Sequence, residues 1–185
     1  MEPSALDPQL AEIADELRAA TARLHRLRDA LPAERWPTRR DAAKWSASEC
    51  VEHLNLTSAA FAPLLEQGLA EAAGRKPTGR RYRRGFLGWA LWKMTGPDAP
   101  GRMPTTADFV PTATAPVEVV IADFERWQAR LLALLADASG LALDDVTIVS
   151  PFNARMRYNL YAAFSILPRH QHRHLQQAER VWTPA

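Results

Sequence analysis

Four stretches of this 185-residue chain place apolar residues at steps of three and four, and nothing else in the sequence restricts its fold so tightly. The first opens at Asp7-Pro8, an N-cap followed by proline at the first helical position. Its seam runs through Leu10, Ile13, Leu17, Ala20, Leu24, Leu27 and Leu31 and ends at Pro32. So narrow a stripe needs a partner helix to cover it. The second begins at Ser46-Ala-Ser-Glu49, a capping box in which Ser46 takes the residue-49 amide and Glu49 reaches back. Its stripe is Cys50, Leu54, Phe61, Leu65 and Leu69, with Pro63 expected to kink or interrupt it and Gly74 to stop it. The third starts near Pro116, again with proline at the first helical position, and repeats through Val117, Val120, Ile121, Phe124, Trp127, Leu131, Leu134 and Leu135 before Ser139-Gly140. The fourth runs from about Asn159 to Trp182, with Leu160, Ala163, Leu167, His170, His174, Ala178 and Val181 on its seam.

Residues 75–115 hold Pro77, Pro97, Pro100, Pro104 and Pro111, which forbid one long helix. Within them, Phe86–Met94 suits a short helix that buries Phe86, Trp89 and Trp92. A connection of roughly 40 residues far exceeds the usual loop and matches a crossover running back along a bundle. Residues 141–157 read as a linker, briefly extended over Val146–Val149. The expectation is an all-α, four-helix bundle with a long crossover between helices two and three, built as one domain over residues 1–185.

Composition narrows the function. At 47% hydrophobic and 24% charged, the chain is not a disordered one. A net charge of +2 is too small for a nucleic-acid partner to be expected. No largely apolar stretch, Phe86–Trp92 included, approaches the ~20 residues that span a bilayer, so no membrane partner is expected either. The single cysteine, Cys50, cannot pair internally, and Met1–Leu10 lacks a signal-peptide pattern. Both point to a cytoplasmic protein.

The histidines carry the chemistry. His170 and His174 lie one helical turn apart on the seam of the fourth helix, and His53 lies on the inward side of the second. Neutral imidazoles in a core need partners for their ring nitrogens. Three of them converging would share a divalent cation, and three His with an open position is a known catalytic zinc arrangement. A hydrogen-bonded core pair with an unrelated third ring is the plainer alternative. His172 falls about 200° around the helix from this face and is expected toward solvent, with His25 also outside the set.

Trp45-Ser-Ala-Ser-Glu49 with Val51-Glu-His53-Leu54, Ser150-Pro-Phe152, Arg157-Tyr158, and the stretch from Arg169 through His170 and His174 to Arg180-Val181 together resemble the DinB-like (DinB/YfiT) superfamily. The resemblance spans about residues 8–182. It implies a bundle with a long crossover, often dimeric, and a divalent metal held by His53, His170 and His174. Zinc or nickel comes ahead of manganese or iron. Some members resemble thiol-dependent S-transferases, in which a low-molecular-weight thiol binds the metal and attacks an electrophile; a few are hydrolases or isomerases. The expected partner is a small-molecule substrate, with or without such a thiol.

Other residues have competing readings. Cys50, a turn before His53, suits a fourth ligand less well than a buried hydrophobe. Glu49 is the candidate general base, although its capping duty accounts for it. Gln177 suits a pocket rim or a solvated surface. Trp89, Trp92 and the cluster Arg80-Arg81-Tyr82-Arg83-Arg84 are candidate walls of a substrate entrance. The cluster also fits an acidic substrate, an anionic membrane surface or a nucleic acid, with a basic loop beside aromatics that plug the bundle as the simplest reading. Against the enzyme stands a binding or interaction protein in which the metal is structural or absent.

Overall fold

The computed structural model describes residues 6–77, 79–101, 105–111 and 115–181. These form five α-helices and one small two-stranded sheet. Helix α1 spans Pro8–Ala30, α2 Ala47–Ala73, α3 Gly85–Met94, α4 Val117–Asp137 and α5 Leu160–Arg180. Strands β1 (Thr147–Ser150) and β2 (Asn153–Asn159) precede α5. Pro104 and Trp182 lie outside the described residues.

The starts of the long helices follow from local chemistry. Asp7 accepts the Gln9 amide at 2.8 Å, with Pro8 in the first turn of α1. Both bonds of the Ser46–Glu49 capping box are made. Asn159 accepts the Ala162 amide at 2.8 Å to open α5. Pro116 caps α4 from one position outside the helix rather than occupying its first turn. The α1 seam is buried from Leu10 to Leu31. α1 packs on α4 and α5, and α2 packs on the same two helices.

Pro63 does not interrupt α2, which runs unbroken through it. Pro63 and Ala59 are both exposed, so the carbonyl that loses its helical donor faces water, while Phe61 and Leu65 stay buried. On α4 the position between Phe124 and Leu131 belongs to Gln128, with Trp127 only half-buried. Gln128 donates to Leu17 O at 2.7 Å and to Thr21 Oγ1 at 3.1 Å, and accepts from Gln171 Nε2 at 2.7 Å. An amide whose hydrogen bonds join three helices can stay in the core.

The linker before α5 is more ordered than expected. β1 and β2 pair antiparallel, with Thr147 opposite Asn159, Ile148 opposite Tyr158 and Val149 opposite Arg157. Ile148 and Tyr158 face the core, and Arg155 and Arg157 face out. A register shift between Val149 and Ser150 leaves Pro151 and Phe152 at the turn.

Among the described residues the crossover contains α3 and one 3-10 turn, Ala107–Phe109. Its beginning is stitched down: Gln9 accepts the Tyr82 amide at 2.8 Å, and Asn159 Nδ2 donates to Arg83 O at 2.7 Å. α3 then packs on α5 and β2. The expectation that Phe86, Trp89 and Trp92 are buried is corrected here. Gly88 is the buried residue of α3, Trp92 is half-buried, and Phe86 and Trp89 are exposed. A Cβ on Gly88 would stand 2.5 Å from Ala162 Cβ, so the glycine sets how closely α3 approaches α5. Gly88→Leu should therefore destabilise the protein by ~1–3 kcal/mol through overpacking, read as a lowered urea midpoint; an unchanged midpoint would show that α3 does not dock as described.

Candidate metal centre

Each of the three histidines is placed by a different constraint. The capping box starts α2 in the register that turns His53 inward beside Cys50 and Leu54, all three buried. The Asn159 cap does the same for α5, whose four-residue step stacks His170 above His174. Their packing brings one ring nitrogen of each histidine to within 4.8 Å of the other two. Ring centroids lie 5.1 Å apart for His53–His170, 4.4 Å for His53–His174 and 4.5 Å for His170–His174.

The proton on His53 is settled by its partner. Its Nδ1 lies 2.8 Å from the Phe109 carbonyl oxygen, which can only accept, so Nδ1 carries the hydrogen. In the neutral ring the Nε2 lone pair is then free, and it lies 3.3 Å from His170 Nε2. That spacing suits two nitrogens sharing one cation at ~2.0–2.1 Å each. A backbone carbonyl that orients a histidine from behind is the usual support for a metal ligand. Nδ1 of His170 and of His174 are buried without a hydrogen-bond partner, so the rings do not satisfy one another. The donor set, three imidazoles and no carboxylate, is compatible with a divalent cation of borderline softness.

Burial depresses the proton affinity of all three rings. It is the main cause at His53, where the Phe109 bond partly opposes it. At His170, burial is joined by the neighbouring His174 and His53, and at His174 by His53 and Arg173, which together push the ring down to about 3. All three rings are neutral near pH 7, with lone pairs available. Trp45 covers the cluster, its ring 5.0 Å from His53 and 5.9 Å from His174.

The cluster opens into a cavity of about 760 Å³. Phe61, Phe152, Ile166 and Leu167 form apolar wall, and Gln177 lies in the lining. The crossover closes one side with Leu91, Thr95, Pro97, Ala99, Gly101, Thr105 and Thr106. Arg173, between the two α5 histidines, ties that segment down by donating to Gly96 O at 3.0 Å, Ala99 O at 3.1 Å and Gly101 O at 2.6 Å. Arg169 adds a bond to Trp92 O at 3.0 Å. α5 thus carries two of the rings and also the guanidiniums that hold the cavity wall.

Other expected site residues fall elsewhere. Glu49 is engaged by Arg39 and the Ser46 amide and does not line the cavity. The Arg39 hydrogen bond is the largest cause holding its carboxyl below the usual range, against burial, which makes it a weak base. Cys50 touches the cavity lining but is not in the three-histidine cluster, and burial pushes its thiol up to about 12. Trp89, Trp92 and Arg80–Arg84 are not in the wall; Arg84 instead turns inward to Ser165 Oγ at 2.9 Å. His172 does not reach solvent freely: its side chain is 16% exposed and lies 3.5 Å from Glu16 on α1. His25 pairs with Glu125 at 2.6 Å, away from the cluster.

The sequence gives no site role to Phe109, or to Trp45, Phe152 and Arg173, which lie in the stretches that carry the resemblance. Phe109 acts through its carbonyl, which every residue type carries. Arg173 had a signal, since an arginine between two seam histidines must lie beside whatever the seam faces.

Depressed folded-state values fix a pH dependence of the metal-free protein. Unfolded histidine titrates near ~6.5, so on acidification the unfolded chain takes up protons first and stability drains away below that pH. For His174 the loss continues down to about 3. The urea midpoint of the metal-free protein should be lower at pH ~5 than at pH ~7.5, and the difference should shrink in His174→Gln. An equal drop in both proteins would show that His174 is not a buried neutral ring.

Comparison with known proteins followed the same lines. No curated protein and no solved structure matched the chain. A family model described as the DinB superfamily matches residues 16–178, a span that contains all three histidines, the crossover and the hairpin. The chain therefore belongs to the DinB superfamily.

Proposed function

We propose that this protein is a divalent-metal protein whose ligands are His53, His170 and His174, and that it activates a bound thiol or water toward an electrophilic small molecule. Zinc or nickel is the first choice of ion, with manganese or iron next. The observation that carries the reading is the meeting of three ring nitrogens within 4.8 Å in the lining of a cavity with room for a small molecule. When bound, such an ion supplies Lewis acidity, which lowers the pKa of a water or thiol at an open position.

The chain's own residues supply the rest. Phe109 O holds the His53 ring in one tautomer and orientation. Trp45 and Phe152 shield the rings, and Phe61, Ile166 and Leu167 offer an apolar body a dry wall. The described lining contains Lys44, Arg173 and Arg180 but no Asp or Glu, which favours neutral or anionic substrates over cations. No side chain in that lining is an activated nucleophile, so the attacking group comes from the bound thiol or water. In this reading α1, α2, α4 and α5 are the four helices of the bundle, and α3 belongs to the crossover.

Metal analysis tests the ligands directly. The purified protein should carry about one divalent ion per chain, and His170→Ala should lose it; full metal content in that variant refutes the assignment. In cobalt-loaded protein, an added small thiol should change the visible spectrum by entering the ion's coordination. An unchanged spectrum, with protein ligands only around the ion, would leave a structural metal and remove the catalytic reading.

A further inference from the structure

α3 is apolar on both sides, and among the described residues the fold packs against one of them. Gly88, Leu91, Trp92 and the C-capping Thr95 turn toward the protein, where Trp92 lies between the guanidiniums of Arg84 at 4.6 Å and Arg169 at 4.0 Å. At about 100° per residue, Phe86, Leu87, Trp89 and Met94 fall on the opposite arc. Phe86 is 84% exposed, Met94 50%, Trp89 47% and Leu87 38%. With Val119 they make up the exposed large hydrophobics among the described residues, so four of the five crowd onto one ten-residue helix.

The charge around this arc is predominantly positive. Between Arg75 and Pro97 the sequence has seven Lys and Arg and no Asp or Glu. Arg80, Arg81, Arg83 and Lys93 are exposed, and β2, packed beside α3, adds exposed Arg155 and Arg157. No acidic residue occurs between Val146 and Ala178. Asp144 accepts from the Arg83 amide at 3.3 Å, and exposed Asp98 follows Pro97, so two carboxylates border the patch. Since the whole chain is only +2, the rest of it is net acidic and the molecule is polarised toward this face.

We infer that α3 docks this protein on an anionic lipid surface. The arc of Phe86, Leu87, Trp89 and Met94 enters the headgroup–acyl boundary, and Arg80, Arg81, Arg83, Lys93, Arg155 and Arg157 meet lipid phosphates. Apolar area ringed by cations is what binds such a surface. A second copy is the poorer occupant, because a two-fold contact would set this cationic rim against itself. A nucleic acid would gain little from Leu87 and Met94, which offer bases neither a stacking face nor a hydrogen bond. No helix among the described residues is long and apolar enough to cross a membrane, so the contact is a surface one. α3 also lends Leu91 and Thr95 to the cavity wall, which makes the docked face and the cavity two sides of one short element.

Sedimentation of the full chain with vesicles tests this. Equimolar phosphatidylglycerol–phosphatidylcholine vesicles should capture the protein and pure phosphatidylcholine vesicles should not, with capture lost as salt shortens the screening length. Reversing Arg80, Arg81 and Arg83 to Glu should weaken capture ~100-fold. Phe86→Ser with Trp89→Ser should also abolish it, and a blue shift of tryptophan emission on vesicles should disappear in Trp89→Phe. These side chains face solvent, and circular dichroism checks that each variant is folded. The inference fails if anionic vesicles do not capture the protein, if neutral ones do so equally, or if the variants bind like the parent. It fails equally if an oligonucleotide displaces the vesicles at matched phosphate, or if sedimentation instead finds a dimer that Phe86→Ser with Trp89→Ser splits.

Discussion

The candidate site depends on holding three neutral imidazoles against one another in the core. A lone histidine in an apolar core costs stability unless both ring nitrogens find partners, and three together raise that cost. Here the compensation is partial. His53 has the Phe109 carbonyl behind it, while Nδ1 of His170 and His174 have no partner. The arrangement persists because four long helices bury enough apolar surface around it, and a cation compatible with the donor set would complete what the protein leaves unsatisfied.

The crossover is as important to the site as the helices that bear the rings. It delivers the Phe109 carbonyl to His53 and roofs one side of the cavity, where α5 grips it through Arg169 and Arg173. Such a segment, rich in proline, cannot form a helix of its own length. Its described residues are held by side chains reaching their carbonyls from α5 and by Gln9 and Asn159 at its start. Loosening of that grip would be felt at the rings before it reached the helix cores, because the carbonyl that holds His53 Nδ1 belongs to the crossover.

Much of this was legible in the chain. The α1 seam, the capping box and the triad spacing all rest on local chemistry, since caps and four-residue steps act within one turn. Most of the misses depend on neighbours. Pro63 was expected to disturb α2, but its freed carbonyl faces water. Gln128 occupies a seam position because Leu17, Thr21 and Gln171 surround it. The alternation Arg155-Met156-Arg157-Tyr158 did signal a strand, and was too short to stand out beside four strong helical periods. Phe86 and Trp89 look like core residues in sequence, and a close approach at Gly88 turns them outward.

What the sequence by itself determined is which residues form helices and which three histidines lie on inward faces, because periodicity and capping are properties of a single segment. Only the tertiary structure decided that those rings meet, which nitrogen of His53 is free, and which face of α3 is left to solvent. Those outcomes depend on contacts between residues as far apart as His53 and His170. Side-chain packing and backbone carbonyls set them, and neither leaves a mark in the order of amino acids along one helix.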